Sequence, residues 1–98
     1  GDAVACYAIG QMYEEGKGVE KNYNKSIEWY RKAAEGGDVV AYYALGRMYE
    51  EGKGVEKNIE IAIEMYKKIP KGVQCFGRGI DVMFVGKAAQ DRIAKLRK

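Results

Sequence analysis

Apolar residues at the start of the chain recur at three- and four-residue intervals, the spacing that gives an α-helix one buried face. Ala5, Ala8, Ile9, Met12 and Tyr13 follow it and predict a first helix with that face turned inward. Asp2 stands where an N-cap is expected. Gly16 follows the last apolar position, where a left-handed residue often closes a helix. Gly18 permits a second unusual backbone angle, and Val19 offers an apolar anchor for the turn. Asn22 then suits the cap of a second helix, with Tyr23, Ser26, Ile27, Tyr30, Ala33 and Ala34 as its inward positions. The pattern describes two helices around a glycine loop.

The same pattern is then written again. A shift of 36 residues lays Gly1-Asp2 on Gly37-Asp38, and lays Met12 through Asn22 on Met48 through Asn58 without a mismatch. Ile27-Glu28 meets Ile63-Glu64, and Tyr30 meets Tyr66. Residues 1–36 and 37–72 are therefore read as two copies of one unit. In the second copy Asp38 and Asn58 take the cap positions, and Ile59, Ala62, Ile63, Tyr66 and Ile69 the inward positions of its second helix. Gly10 and Gly46 stand mid-helix, where glycine costs about 1 kcal/mol against alanine. Their retention in both copies predicts a neighbouring helix too close for a side chain, and Ala5, Ala8, Ala41 and Ala44 fit such packing.

The order Ala5, Tyr7, Ile9-Gly10, Met12-Tyr13, Gly16, Gly18-Val19, Asn22, Lys25, Trp29-Tyr30, Lys32-Ala33-Ala34, Gly36 resembles the Sel-one-like repeat. That family belongs with the tetratricopeptide-type helical solenoids. The resemblance covers residues 1–72 and implies an all-α fold, a right-handed α–α superhelix. Copy two departs late: Met65, Ile69 and Pro70 replace Trp29, Ala33 and Ala34, as befits a last repeat with a different neighbour.

Pro70 is expected to stop the second helix of copy two, and Lys71–Gly79 reads as a loop. Beyond it, Val85-Gly86 echoes Ile9-Gly10 and Leu45-Gly46, which suggests a repeat with a four-residue insertion. Asp81–Leu96 then reads as a degenerate first helix that caps the stack, with Val82, Val85, Ala89, Ile93 and Leu96 inward. A short strand at Ile80–Val85 is the alternative. The expected organisation is one domain: two repeats, then a loop and capping helix over 73–98.

Composition narrows the chemistry. At 98 residues the chain suffices for one domain, and 47% apolar with 32% charged residues predicts a folded one. Histidine is absent, which removes imidazole bases, histidine triads and histidine-ligated metals. Cys6 and Cys75 form no CxxC pattern; they read as two buried or half-buried free thiols, with one disulfide as the alternative, and no base is at hand to make either a catalytic thiolate. Gly72-Val73-Gln74-Cys75-Phe76-Gly77-Arg78-Gly79 opens with the spacing of a phosphate loop but lacks its Lys and Ser/Thr. Adjacent pairs Glu14-Glu15 and Glu50-Glu51 point about 100° apart on a helix and do not converge on a substrate. No active site, cofactor or metal site is expected, and the chain reads as a non-enzyme. No apolar run is long enough to span a membrane, and the start lacks a signal peptide's basic and apolar regions. The chain opens at Gly1-Asp2 without methionine, as after loss of a leader or preceding domain.

A net charge of +3 is too mild to mark a nucleic-acid binder. The charge is uneven, however: residues 1–72 sum to −1 and residues 73–98 to +4. Lys87, Arg92, Lys95, Arg97 and Lys98 read as the solvated end of a helix, with contact to an acidic or phosphate surface as the alternative.

What remains is surface. The resemblance implies ligand binding along a concave side lined by the first helix of each repeat. The matching positions are Val4, Tyr7, Gln11, Glu14 and Glu15, with Val40, Tyr43, Arg47, Glu50 and Glu51 in copy two. Tyr7 and Tyr43 either anchor a partner or pack between repeats, while Trp29 reads as packing. The leading expectation is a module that holds a protein or peptide, as adaptor or scaffold. The alternative is self-assembly, or membership of a longer array, through the unmatched face of the first repeat. Family members work in bacterial envelopes, secretion, host contact and endoplasmic-reticulum quality control, so the resemblance assigns no compartment.

Overall fold

Residues 2–71 and 85–97 are described by a computed structural model. Their regular structure is five helices: α1 (Ala3–Glu15), α2 (Tyr23–Glu35), α3 (Val39–Glu51), α4 (Ile59–Lys67) and α5 (Val85–Leu96). No strand occurs among the described residues. The phosphate-loop-like segment, Cys75, Val82 and most of the alternative strand lie outside them.

Helix boundaries follow the local chemistry. Asn22 Oδ1 accepts from the Lys25 N–H at 3.0 Å, and Asn58 Oδ1 from the Ile61 N–H at 3.1 Å. Gly16 and Gly52 close α1 and α3 at φ 71° and 73°, where a Cβ would be strained. The loops then match bond for bond, with the Asn22 N–H on the Tyr13 carbonyl and the Asn58 N–H on that of Tyr49. The two aspartate caps differ. Asp38 Oδ1 accepts from the Val40 N–H at 3.0 Å, because its own N–H is held by the Ala33 carbonyl at the end of α2. Asp2 takes another backbone conformation (φ −96°, ψ 6°) and makes no side-chain cap bond.

The helices pack in chain order, α1 on α2, α2 on α3, α3 on α4 and α4 on α5. The close approaches predicted at Gly10 and Gly46 are present. A Cβ on Gly10 would lie 2.7 Å from the Tyr30 ring, and one on Gly46 would enter the Tyr66 ring. Ser26, wholly buried, donates its hydroxyl to the Gly10 carbonyl at 2.8 Å, so the crossing is also bonded. One core joins Tyr7, Ile27, Tyr30, Ala33 and Ala34 to Val40, Ala41, Ala44, Leu45 and Met48. A second joins Tyr49, Ala62, Tyr66 and Ile69 to Val85, Ala89 and Ile93.

Two expectations are corrected. The face Ala5, Ala8, Ile9, Met12 and Tyr13 does not turn inward: α1 buries Tyr7 and Gly10 instead. The corresponding face of α3, Ala41, Ala44, Leu45, Met48 and Tyr49, is buried because α2 lies on it. No described helix lies on that side of α1. The register of α5 also differs. Its buried residues Val85, Gly86, Ala89 and Ile93 reproduce the spacing of Val40, Ala41, Ala44 and Met48, a shift of 45 residues. The insertion is therefore nine residues, and Gly86 is no counterpart of Gly46. A Cβ on Gly86 would strike the Pro70 and Lys71 carbonyls beyond α4, whereas Gly46 faces a tyrosine ring.

Candidate functional site

The residues singled out on α1 and α3 divide into three groups. Val40 is fully buried, and Tyr7 is buried with its ring 5.4 Å from that of Tyr30. These two build the core. Tyr43 is half-buried, its ring 5.5 Å from that of Tyr66, and keeps part of its surface in solvent.

Glu14, Arg47 and Glu50 form the second group, a bonding pattern that occurs twice. Glu14 accepts the Tyr30 hydroxyl at 2.5 Å and two Arg47 guanidinium nitrogens at 3.3 Å. Glu50 accepts the Tyr66 hydroxyl at 2.9 Å and the Arg92 guanidinium through both of its oxygens. Each carboxylate thus ties its own repeat's second helix to the next helix that packs against it. Arg92 stands at the same 45-residue shift from Arg47 that relates α5 to α3. The glutamate side chains are only 11% and 16% exposed, so they are not solvated charges open to a ligand.

The electrostatics follow. Burial, the Glu14 hydrogen bond and its charge all push the Tyr30 hydroxyl well above the usual phenol range. Burial and Glu50 do the same to Tyr66. Burial alone would raise Glu50, but hydrogen bonds from Arg92 and Tyr66 outweigh it and hold the carboxyl below its ordinary value. Arg47 is raised, since the attraction of Glu14 overcomes the opposing effect of burial.

Val4, Gln11, Glu15 and Glu51 remain as the third group. Val4 is 52% exposed, Gln11 half-buried, and Glu15 and Glu51 exposed. Glu15 pairs with Lys17 at 3.2 Å and Glu51 with Lys53 at 3.1 Å, contacts between the last residue of each helix and the loop that follows it. Trp29 is half-buried, with Lys32 Nζ 4.5 Å above its ring. Cys6 is half-buried against the first core.

Sequence reasoning missed one recess. Arg31, Ala34 and Glu35 of α2, Tyr42, Leu45 and Tyr49 of α3, and Met65 of α4 enclose about 210 Å³. Arg31 donates to the Tyr49 hydroxyl at its edge. Its lining comes from three helices, so no local motif announces it. Among the described residues no helix is long and apolar enough to cross a membrane.

Helix pairs of one repeated design, joined in chain order and keyed at each junction, define a helical-repeat protein. The Sel1 repeat profile matches residues 3–38 and 39–69, and the chain belongs to the Sel1 repeat family. A Sel1 repeat protein from Oxalobacter formigenes has a similar structure, with TM-score 0.67 and 43% identity over 68% of this chain. A protective antigen of uropathogenic Escherichia coli strains, described as displaying an SLR fold, gives TM-score 0.65 and 35% identity over 66% of it. A sel1-like repeat-containing protein of Acanthamoeba polyphaga mimivirus is 46% identical over 35 residues. The chain spans 28% and 14% of the two solved chains and 6% of the viral protein.

Proposed function

We propose that this chain is a non-enzymatic protein-interaction module whose first helices present a binding surface to a peptide or protein partner. In this reading residues 1–36 and 37–72 are the repeats, and 73–98 ends the stack. The observation that carries it is the line of accessible side chains held in register on α1 and α3. Gln11 and Glu15 on one helix match Arg47 and Glu51 on the next, and the Glu14–Arg47 bond fixes the distance between them. Membership of a family of interaction repeats supports the same class. Tyr43 supplies the aromatic contact area that such surfaces use. Val40 and Tyr7 support the surface from beneath.

The test is selection of peptides on the immobilised chain, followed by nuclear magnetic resonance mapping. The expected outcome is perturbation of Gln11, Glu15, Tyr43, Arg47 and Glu51, with weakened binding in Tyr43→Ala. Perturbation confined to Arg31, Tyr42, Leu45 and Met65 would move the site to the recess over α3 and overturn the first-helix reading.

A second reading is favoured by the outer face of α1. Val4 is 52% exposed and Met12 40%, whereas Val40 and Met48 at the same places in copy two are 0% exposed. That face is an attachment site, which joins the chain to another helix by the geometry of its own repeat junction.

A further inference from the structure

We propose that the recess over α3 is a binding site for a free aromatic α-amino acid. The ring enters the recess, Arg31 takes the carboxylate and Glu35 takes the ammonium group. The proposal does not rest on the first-helix reading. At about 100° per residue, Tyr42, Leu45 and Tyr49 lie about 140–160° round α3 from Arg47, so the two surfaces face apart.

The recess lies where the two repeats differ. Copy one has Trp29 on its second helix, and Lys32 Nζ stands 4.5 Å from the centre of its ring. A shift of 36 residues brings this pair onto Met65 and Lys68, in the last turn of α4 and at its C-cap. The lysine is kept but has no indole beneath it, and lies 5.7 Å from the Tyr42 ring centroid instead. Met65 forms one wall of the space of about 210 Å³. Exchange of an indole for a thioether thus leaves room for a ring, beside a cation that elsewhere in this chain covers one.

The lining sets the chemistry of the occupant. Ala34, Leu45 and Met65 are apolar, and Tyr42 and Tyr49 add aromatic walls. Thioether sulfur and phenol rings both make favourable contacts with an aromatic group. The volume falls below the roughly 300–1,000 Å³ of sites for drug-sized ligands, which limits the occupant to one small ring system.

The rim adds one charge of each sign. Arg31 and Glu35 stand about one helical turn apart on α2, yet neither enters an ion pair among the described residues. Arg31 gives a hydrogen bond to the Tyr49 hydroxyl. That neutral partner holds the guanidinium at the edge of the recess and leaves its other N–H donors for a carboxylate. Glu35 is exposed and offers only acceptors, as an ammonium group requires. An aromatic amino acid carries this combination on a single carbon. A chain end does not, since a peptide's C-terminal residue lacks the ammonium group and its N-terminal residue lacks the carboxylate.

The test titrates three ligands into the full chain while amide signals are followed by nuclear magnetic resonance. L-tryptophan carries both charges, N-acetyl-L-tryptophan lacks the ammonium group, and L-tryptophanamide lacks the carboxylate. The expected result is saturable perturbation of Ala34, Tyr42, Leu45 and Tyr49 by L-tryptophan, with a dissociation constant of about 1 mM or lower. Both derivatives bind more weakly. Arg31→Ala weakens L-tryptophan about five-fold and Glu35→Gln about three-fold, because both charges are exposed. Glu35→Gln leaves N-acetyl-L-tryptophan unchanged, a split that general loss of structure does not produce. Met65→Trp restores the residue of copy one, fills the recess and abolishes binding without lowering the melting temperature. Equal binding of L-tryptophan and either derivative overturns the free amino acid as ligand and points to the matching chain end. No saturable perturbation up to about 10 mM, or unaltered binding in Met65→Trp, overturns the site itself. Peptide selection at Gln11, Glu15, Arg47 and Glu51 stands or falls separately, because the two surfaces report through different residues.

Discussion

Two carboxylates, Glu14 and Glu50, each gather a phenol and a guanidinium from different helices. For Glu50 and for the two phenols the pH behaviour has a definite sign. Glu50 is held below its ordinary value, so its contribution to stability is present above that value and lost as the pH falls through and below it. Tyr30 and Tyr66 are raised above the ordinary phenol value of 10.0. An unfolded tyrosine ionises near that pH while the folded one keeps its proton, so stability is full below about pH 10 and declines above it. Tyr30→Phe with Tyr66→Phe is expected to lower stability at neutral pH by about 1–3 kcal/mol per site and to flatten the alkaline decline. Denaturant unfolding at a series of pH values checks both. Gly46→Ala sets a helix-propensity gain of about 1 kcal/mol against a clash with the Tyr66 ring. Overpacking wins: a net loss of roughly 1–2 kcal/mol in the same assay is expected.

At the scale of elements, what binds α5 to the rest is the second core and the Arg92–Glu50 pair. Arg92→Ala is expected to cost about 1 kcal/mol, since the pair is partly solvated. Hydrogen exchange should then quicken across Ala89–Leu96 while Ala41–Met48 keeps its protection; equal quickening of both would refute this local attachment. These elements differ in how legible they were. Caps at Asn22 and Asn58, left-handed glycines and the Gly10 and Gly46 crossings follow from chemistry within a few residues. The register of α5 did not, because the Val85-Gly86 dipeptide imitates Leu45-Gly46 while its glycine meets a different part of the fold. Arginine spacing was the available signal. The fate of the candidate site was equally hidden: Glu14 and Glu15 look alike in sequence. Their 100° separation on α1 sends one to Tyr30 and Arg47 and leaves the other with Lys17.

For the whole molecule, the two copies are alike in sequence and unlike in environment. Periodicity identified the apolar stripe Ala5–Ala8–Ile9–Met12 but not what faces it, because a stripe is buried only when a neighbour arrives. The contrast is measurable by one substitution made twice. Met48→Glu places a charge in a closed core and is expected to cost several kcal/mol or prevent folding, whereas Met12→Glu should change stability by no more than about 0.5 kcal/mol. Thermal unfolding of the two variants side by side decides it, and equal losses would mean that α1 is covered in solution.

The carboxylate bonds also give the stack a direction. At each junction the acid belongs to the earlier helix pair and the base to the later helix, never the reverse. Growth by this rule runs one way along the chain, like a row of hooks and eyes, and two copies turned head to head would set acid against acid. Gln11 is the point where the row carries an uncharged eye. A joint made there would lack the charged bond that fastens α3 and α5 to the helix pairs before them.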